Sequence, residues 1–278
     1  MDKHALFLAP VQFRAILARI LRFLRRHLDR RRRRRRLSVS AILRLTLLAL
    51  RHNLTQRLLA ALFGIDQSTA CRAIAWMRAL LADVLAPEIA RAGDAGTALG
   101  RLLDEAGSRP VIVLVDGTLV PVSDRSWDPL NYSGKHRRKG RSIQVLADVT
   151  GRLLHVGLPQ PGRMHDARAV AESGLLAALR ADARLLVHAD RGYTRLGLIT
   201  PHVRPHGGEL TLDQQVENRE ISAIRNAVER AIAHIKILAV IRTGIRTRSR
   251  DPERVIVETI AVCVGLALYR QEASSRAA

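Results

Sequence analysis

The spacing of hydrophobic and polar residues predicts that the N-terminal third of the chain is helical. Residues 12–29 place apolar side chains on one helical stripe and arginines on the opposite side. The residues of that stripe are Phe13, Ile16, Ile20 and Leu24. A second, mostly helical block follows from Leu37 to Ala86, and the segment from Gly93 to Gly96 indicates a linker.

Beyond residue 110 the pattern changes to short β-branched runs. Four strands are predicted, at residues 111–115, 142–149, 153–158 and 185–189. A helix is predicted over residues 166–180, with Asp166 as its N-cap, and a long helix over about 221–238. Three strands, a helix, a strand and then helices is the order of an RNase H-like α/β fold with a mixed sheet. That order places Asp116 and Asp190 at strand ends, where open α/β sheets hold their sites.

Residues 54–78 have the pattern of a helix-turn-helix. Thr55 is positioned to cap a first helix, and Gly64 supplies a turn with positive φ. Asp66 or Ser68 is positioned to cap a second helix. Ala60 and Ala70 are small enough for two helices to cross closely. In such motifs the N-terminal outer face of the second helix enters the major groove, and here it carries Gln67, Ser68, Thr69 and Arg72. A plain helical hairpin has similar periodicity, so the helix-turn-helix interpretation depends on the polybasic segment that precedes it.

The charge of the chain is strongly positive and unevenly distributed. Lys and Arg number 46 against 25 Asp and Glu, which gives a formal net charge of +21. Residues 1–36 alone hold 13 basic and two acidic side chains. They include an unbroken run of arginines: Arg30, Arg31, Arg32, Arg33, Arg34, Arg35 and Arg36. DNA phosphates suit such an arm better than a membrane surface does, although a solvated, self-repelling tail has the same composition.

The cysteines and the apolar runs bear on the cellular compartment. Cys71 and Cys263 fit no zinc or redox spacing and are predicted to be buried thiols in a reducing cytoplasm. Val255 to Leu268 is apolar but is only 14 residues long and contains Glu258, so no membrane span is predicted. We therefore expect a bacterial cytoplasmic protein associated with the nucleoid.

Three acids lie where a phosphodiester-cleaving site needs them. Asp116 and Asp190 end the first and fourth predicted strands, and Glu229 lies in the long helix. This chemistry uses divalent cations that are held by carboxylates from different elements. Each acid alone has an ordinary interpretation, so only their order is informative. Arg225 and Lys236 fall within about 40° of Glu229 around the helix, which suits a metal ligand flanked by phosphate contacts. A plain Arg–Glu pair explains only the first of these two spacings.

The segments VDGT, HADRGY and RNAVERAIAHIK, in this order, resemble transposases of the insertion-sequence-five group and the wider DDE superfamily endonucleases. RHNLTQRLLAALFGIDQSTACRAI resembles the helix-turn-helix domain that accompanies them. The resemblance covers roughly Leu37 to Leu268. It implies that Asp116, Asp190 and Glu229 are a metal-binding catalytic triad, with Mg²⁺ as the usual ion and Mn²⁺ as the alternative. It also implies cleavage at terminal inverted repeats and strand transfer into target DNA, by a homo-oligomer assembled on double-stranded DNA.

Two further segments qualify the resemblance. The related pattern Tyr-x₂-Arg-x₃-Glu-x₆-Lys maps onto Ser222, Arg225, Glu229 and Lys236, so a serine stands at the tyrosine position. The segment GRMHDARAV makes His165 and Asp166 accessory candidates, with a helix cap as the simpler role for Asp166. The basic segment YSGKHRRKGR is expected to contact DNA through Lys135, His136, Arg137, Arg138 and Lys139.

Together these patterns predict five segments: a basic helix and arm (1–36), a helix-turn-helix domain (37–92), a linker (93–109), an RNase H-like catalytic domain (110–270) and a tail (271–278). Two alternatives remain. A host DNA-binding regulator derived from a transposase would lack nuclease activity, and the presence of all three acids argues against it. A basic structural or RNA-binding protein leaves the order of the acids unexplained. If the triad is correct, the three carboxyl groups converge and Asp166 lies outside them.

Overall fold

The computed structural model describes residues 7–27, 37–123 and 129–275. The arginine run from Arg30 to Arg36, on which the predicted basic arm depends, lies outside the described residues. The elements, in chain order, are α1 (Pro10–His27), α2 (Val39–His52), α3 (Gln56–Leu62), α4 (Gln67–Val84), α5 (Ala86–Gly93), α6 (Ala95–Ala106), β1 (Val111–Ser123), β2 (Tyr132–Ser133), β3 (Arg138–Asp148), β4 (Leu153–Val156), β5 (Gln160–Pro161), α7 (Asp166–Glu172), α8 (Leu175–Arg180), β6 (Leu185–His188), α9 (Leu212–Lys236), α10 (Ala239–Thr243), β7 (Ile245–Arg246) and α11 (Pro252–Ser275).

The chain divides into two compact units, one of residues 1–89 and 235–278 and the other of residues 90–234. This division differs from the predicted segments in three places. The predicted linker is wrong because residues 95–106 form α6, whose Leu99 and Leu103 are buried with the strand residues of the second unit. The residues after 234 group with the helical unit rather than with the α/β unit. The predicted tail is wrong up to residue 275, because α11 continues that far.

The helix-turn-helix prediction is confirmed in its local geometry. The Thr55 hydroxyl caps α3 by accepting from the backbone N–H of Leu58, and Gly64 has φ of +61°. Asp66 is the N-cap residue of α4, but its side chain makes no capping hydrogen bond. Ala60 and Ala70 are 4% and 0% exposed and lie in one hydrophobic cluster contributed by α2, α3 and α4. Small residues therefore stand where the helices pack.

The rest of the helical unit is held together by apolar burial and a partly buried ion pair. Arg78 of α4 donates to Glu258 of α11 at 2.8 Å, and both side chains are about 15% exposed. Cys263 is buried, as predicted, but Cys71 is exposed, so the prediction of two buried thiols is wrong for Cys71. Cys71 directly follows the fully buried Ala70, and a step of 100° around the helix turns it away from the core. None of the helices in the described ranges is long and apolar enough to cross a membrane.

The α/β unit is built on a mixed sheet with the strand order β4–β3–β1–β6. Strand β1 pairs antiparallel with β3 and parallel with β6. This is the RNase H-like arrangement that the order of elements predicts. One detail is wrong: Asp116 does not end the first strand, because β1 continues to Ser123 and Asp116 pairs with Val145 of β3. The Asp-Gly dipeptide resembles a turn signal but lies in extended backbone here.

The helices of this unit also differ from their predicted bounds. The helix predicted over residues 166–180 is two helices, α7 and α8, because Gly174 between them has φ of +78°. Its predicted cap is wrong as well, since His165 is the N-cap residue of α7 and Asp166 is the first helical residue. The long helix α9 starts nine residues earlier than predicted, at Leu212.

Candidate active site

Two of the three predicted acids lie together at one edge of the parallel strand pair. The last paired residues of β1 and β6 are Leu114 and His188. Asp116 and Asp190 each follow two residues later, so both acids lie just beyond the same end of the parallel pairing. Asp190 begins a short 3₁₀ turn, where its Oδ1 accepts from the backbone N–H of Gly192 at 2.7 Å.

The environment of Asp116 is unfavourable for its charge. Its side chain is 18% exposed, and burial raises the pKa of this carboxyl from 3.8 to about 6. Arg225 opposes that rise from α9, with its Nη2 3.6 Å from Oδ2 of Asp116. The neighbouring charges of Asp190 and Asp166 add to the rise. Two other carboxylates therefore lie close enough to act electrostatically on Asp116.

Asp166 belongs to this group of acids, so the prediction that it lies outside them as a helix cap is wrong. It is the first helical residue of α7 and not its N-cap residue. Instead, its Oδ1 accepts from Nε2 of Gln144 at 3.1 Å, and its Oδ2 lies 3.6 Å from Nζ of Lys135. The carboxylate also packs against the residue after Asp116: a Cβ on Gly117 would stand 2.2 Å from Oδ1 of Asp166. A glycine is required there for close approach and not for positive φ.

Gln144 and Tyr193 are site residues that the sequence analysis missed. The hydroxyl of Tyr193 donates to Oε1 of Gln144 at 2.6 Å, and the two residues are 0% and 2% exposed. A signal for Gln144 exists in the sequence, since it is a single polar residue within the apolar run Ile143–Ala147. A polar side chain at such a position is buried and needs hydrogen-bond partners.

The third predicted acid, Glu229, is not part of the group in this structure. It lies on α9 as predicted, but its side chain is exposed. Over the described ranges, no set of three or more His, Cys, Asp or Glu side chains is arranged to hold a metal ion. The predicted convergence of three carboxyl groups is therefore absent. Lys236 ends α9 and is partly exposed, and Ser222 hydrogen-bonds Asn218 of its own helix through its hydroxyl at 2.7 Å.

A cleft of about 280 Å³ opens beside this group of acids. Gly117, Asp166, Lys135, His136 and His165 are among the residues that line it. The residues of the predicted basic segment form the turn between β2 and β3 and the start of β3. Of that segment, Lys135, His136, Arg137 and Arg138 are exposed and Lys139 is partly exposed.

In the helical unit, the predicted recognition face is accessible. Gln67, Ser68 and Arg72 are exposed at the start of α4, and Thr69 is partly exposed. Nη2 of Arg72 donates to the hydroxyl of Thr69 at 3.3 Å. This face points away from the cluster formed by Ala70 and its neighbours.

Two known family profiles match the sequence of these two units. The profile described as DDE superfamily endonuclease matches residues 115–267, more than half of the chain. The chain belongs to this family. The profile described as helix-turn-helix of DDE superfamily endonuclease matches residues 35–87, which contain α2, α3 and α4. The assignment to the insertion-sequence-five group within the superfamily stays a prediction.

Two curated proteins are similar to this member of the DDE superfamily. The putative transposase for insertion sequence element IS112 of Streptomyces albus G is 34% identical over 194 residues, which are 69% of this chain and 66% of that protein. The probable transposase for insertion sequence element IS702 of Microchaete diplosiphon is 29% identical over 150 residues, 51% of this chain and 52% of that protein. The matches thus span just under two thirds and about half of the relatives' lengths.

Two solved structures share a distant likeness. A cryo-EM structure of a piggyBac transposase synaptic complex with hairpin DNA has a TM-score of 0.45 at 11% identity, over 99% of this chain and 75% of that chain. The Mos1 transposase paired-end complex with the left transposon end has a TM-score of 0.22 at 13% identity, over 81% of this chain and 86% of that chain.

DDE superfamily endonucleases use divalent metal ions, and the donor set of this site meets part of that requirement. Asp116 and Asp190 offer carboxylate oxygens, which hard divalent cations prefer. Asp116 is partly buried, and a nearby cation removes the penalty that burial places on its ionised form. The two aspartates therefore fit a divalent cation, while Glu229, the predicted third ligand, does not lie with them among the described residues.

Proposed function

We propose that this protein is a transposase that binds the terminal inverted repeats of an insertion sequence, cleaves phosphodiester bonds there and joins the ends to target DNA. The observation that carries the proposal is the pairing of β1 with β6, which brings Asp116 and Asp190 to the same end of the parallel pairing. Membership of the DDE superfamily and the two similar curated transposases support it.

In this proposal Asp116, Asp190 and Glu229 hold the metal, with Mg²⁺ as the ion and Mn²⁺ as its substitute. A divalent cation supplies an activated nucleophile and neutralises charge on the leaving oxygen. Glu229 follows Arg225 by one turn of α9, and Arg225 is the residue that reaches Asp116. A step of four residues rotates the side chain by only about 40°, so Glu229 lies one turn beyond Arg225 on a neighbouring part of the helix surface. Its side chain is exposed in this structure, and the proposal has it join the aspartates when the metal binds.

The remaining predicted residues have binding roles in the proposal. Gln67, Ser68, Thr69 and Arg72 distinguish element ends from other DNA at the start of α4. The basic turn before β3, the end of α9 at Lys236 and the arginines of residues 30–36 contact phosphates without reading sequence. Arg225, which the sequence predicted as a phosphate contact, faces Asp116, and we assign it to the charge balance of the site. A homo-oligomer forms on the paired ends.

The test uses duplexes that carry the inverted repeats flanking the gene, with the full-length chain and Mg²⁺. The wild type should nick these ends, and Asp116→Asn, Asp190→Asn and Glu229→Gln should each lower the rate by orders of magnitude while DNA affinity persists. Glu220→Gln is the matched control, because Glu220 is exposed on α9 nine residues earlier, on the opposite side of the helix. If the Asp116→Asn variant cleaves element ends at the wild-type rate, the proposal is contradicted.

The same duplexes separate the proposal from the alternative of a host DNA-binding regulator. A regulator binds the ends and cuts nothing, whichever divalent metal is added. For recognition, Arg72→Ala should weaken binding to element ends more than binding to random DNA. Arg57→Ala, on the exposed side of α3, should weaken both equally. Replacing the arginines of residues 30–36 should lower the salt dependence of binding, by about 0.9 in the log–log slope for each phosphate that the arm neutralises in the wild type.

A further inference from the structure

Three hydrogen bonds and one packing contact connect the turn that holds Asp190 with the strand that holds Asp116. Tyr193 lies three residues after Asp190 in the same 3₁₀ turn, and its backbone N–H donates to the carbonyl of Asp190 at 3.1 Å. Its hydroxyl donates to Gln144 at 2.6 Å, and Gln144 in turn donates to Asp166 at 3.1 Å. Asp166 packs against Gly117, the residue that follows Asp116. This series of contacts therefore runs from the backbone of Asp190 to the backbone next to Asp116.

Its two inner members are fixed by their surroundings. Tyr193 is 0% exposed and lies in the hydrophobic core, and Gln144 is 2% exposed on the central strand β3. The hydroxyl of Tyr193 is the donor in this contact, because the atom it meets is the amide oxygen Oε1 of Gln144. A buried amide whose oxygen accepts from Tyr193 must direct its NH₂ group at Asp166, so one amide orientation satisfies both neighbours.

We propose that Tyr193, Gln144 and Asp166 are positioning residues that fix the distance between Asp116 and Asp190 for metal binding. The inference rests on the proposed function, since it assumes that the two aspartates hold a divalent cation. Outer-shell partners of this kind orient the ligands of a metal site, and their loss commonly weakens metal affinity about 10- to 100-fold. Strand β6 ends at His188, so no strand pairing with β1 reaches the 3₁₀ turn, and the hydroxyl of Tyr193 supplies a polar contact between this turn and β3.

The experiment measures Mn²⁺ affinity of the full-length chain without DNA, from the rise in melting temperature with Mn²⁺ concentration. Tyr193→Phe removes one link and should weaken Mn²⁺ binding about tenfold. Gln144→Met removes both links at similar volume and should weaken it about 100-fold. Hydrogen exchange of residues 190–196 gives a second readout that needs no metal, and it should accelerate in Tyr193→Phe because the turn loses its anchor.

The matched control is Tyr269→Phe. Tyr269 of α11 also donates its hydroxyl to one partner, the carbonyl of Gln12 at 3.2 Å, but it lies in the helical unit. This variant should lower the melting temperature while leaving Mn²⁺ affinity and exchange of residues 190–196 at wild-type values. It therefore separates the loss of one tyrosine hydrogen bond from the loss of positioning.

The outcomes distinguish the two proposals. Mn²⁺ should raise the melting temperature of the wild type but not that of Asp116→Asn. If Tyr193→Phe and Gln144→Met then bind Mn²⁺ as tightly as the wild type does, the positioning role is overturned and the proposed function stands. A variant that melts lower at unchanged Mn²⁺ affinity also overturns the positioning role, because its effect is structural only. If the wild type neither binds Mn²⁺ nor cleaves element ends, the proposed function fails and the inference fails with it.

Discussion

Replacing Asp116 with Asn should stabilise the folded protein while it abolishes catalysis. The carboxyl of Asp116 is buried to the point that its pKa is about 6, against 3.8 in the unfolded chain. At neutral pH the folded state therefore holds an ionised carboxylate that its surroundings disfavour, even with Arg225 beside it. Asparagine has nearly the same shape and carries no charge, so the variant escapes this penalty.

The size and the pH dependence of the effect follow from the two pKa values. Because the folded pKa is raised, the unfolded chain releases its proton first as pH rises, and the folded state loses relative stability between pH 4 and pH 6. The penalty is less than about 1 kcal/mol at pH 4, about 2 kcal/mol at pH 5 and about 3 kcal/mol above pH 7. The free energy of unfolding of Asp116→Asn should exceed that of the wild type by these amounts, less any free energy lost through weaker hydrogen bonds of the asparagine side chain.

The assay is urea denaturation of both proteins in metal-free buffer at pH 4.0, 5.0, 6.0 and 7.5. The gain in the free energy of unfolding should grow across this series and level off above pH 6 to 7. Asp104→Asn is the control, because Asp104 is an exposed aspartate of the same unit and its replacement should change stability by less than about 0.5 kcal/mol. A gain of equal size at pH 4.0 and 7.5, or a loss at pH 7.5, refutes the reasoning.

Three further predictions concern single contacts. Gly117→Ala should displace the carboxylate of Asp166, because the new Cβ would stand 2.2 Å from it, and should lower both the cleavage rate and the stability. Gly134→Ala is the control in the same cleft. Its Cβ would meet nothing within 4 Å, so it should change neither quantity. Arg225→Met should destabilise by roughly 1–3 kcal/mol at pH 7.5 and by less at pH 5, measured by urea denaturation, because it leaves the buried carboxylate of β1 without its cation. Thr55→Ala should cost about 1 kcal/mol through the lost N-cap of α3, measured as a lower melting temperature of the helical unit.

The sequence predicted the features of this protein that depend on local patterns. Thr55 and Gly64 were placed correctly because capping and positive φ are properties of single residues and their immediate neighbours. The strands around Asp116 and Asp190 were found because β-branched runs bounded by turn residues predict buried strands. The parallel pairing of β1 with β6 then followed from the order of elements, and the structure confirms it.

The errors arise where distant contacts override local signals. Gly93 and Gly96 indicated a linker, but α6 forms because Leu99 and Leu103 bury against the strands, which outweighs a glycine penalty of about 1 kcal/mol in a helix. Asp116-Gly117 resembled a turn, yet the glycine serves the close approach of a side chain 49 positions later. No local pattern carries that information.

Asp166 shows most clearly why a site is harder to predict than a fold. An aspartate at the start of a helix is usually a cap, and the sequence of α7 gives no reason to think otherwise. Its actual partner is Gln144, which lies 22 residues earlier on another element. A polar residue in an apolar strand does predict that some buried partner exists. Its identity depends on the tertiary fold, so it emerges only when both residues are placed in space.

The same reasoning explains how an unfavourable carboxylate can be retained at the centre of the site. The burial that raises the pKa of Asp116 also strengthens its attraction for a cation, because both effects come from weak screening. Arg225 supplies a partial counter-charge in this structure but stands 3.6 Å away, and its buried Nε has no hydrogen-bond partner among the described residues. An arginine held so loosely relieves the carboxylate only in part. The ionised form of Asp116 is therefore penalised in this structure, and a divalent cation bound as we propose would remove that penalty.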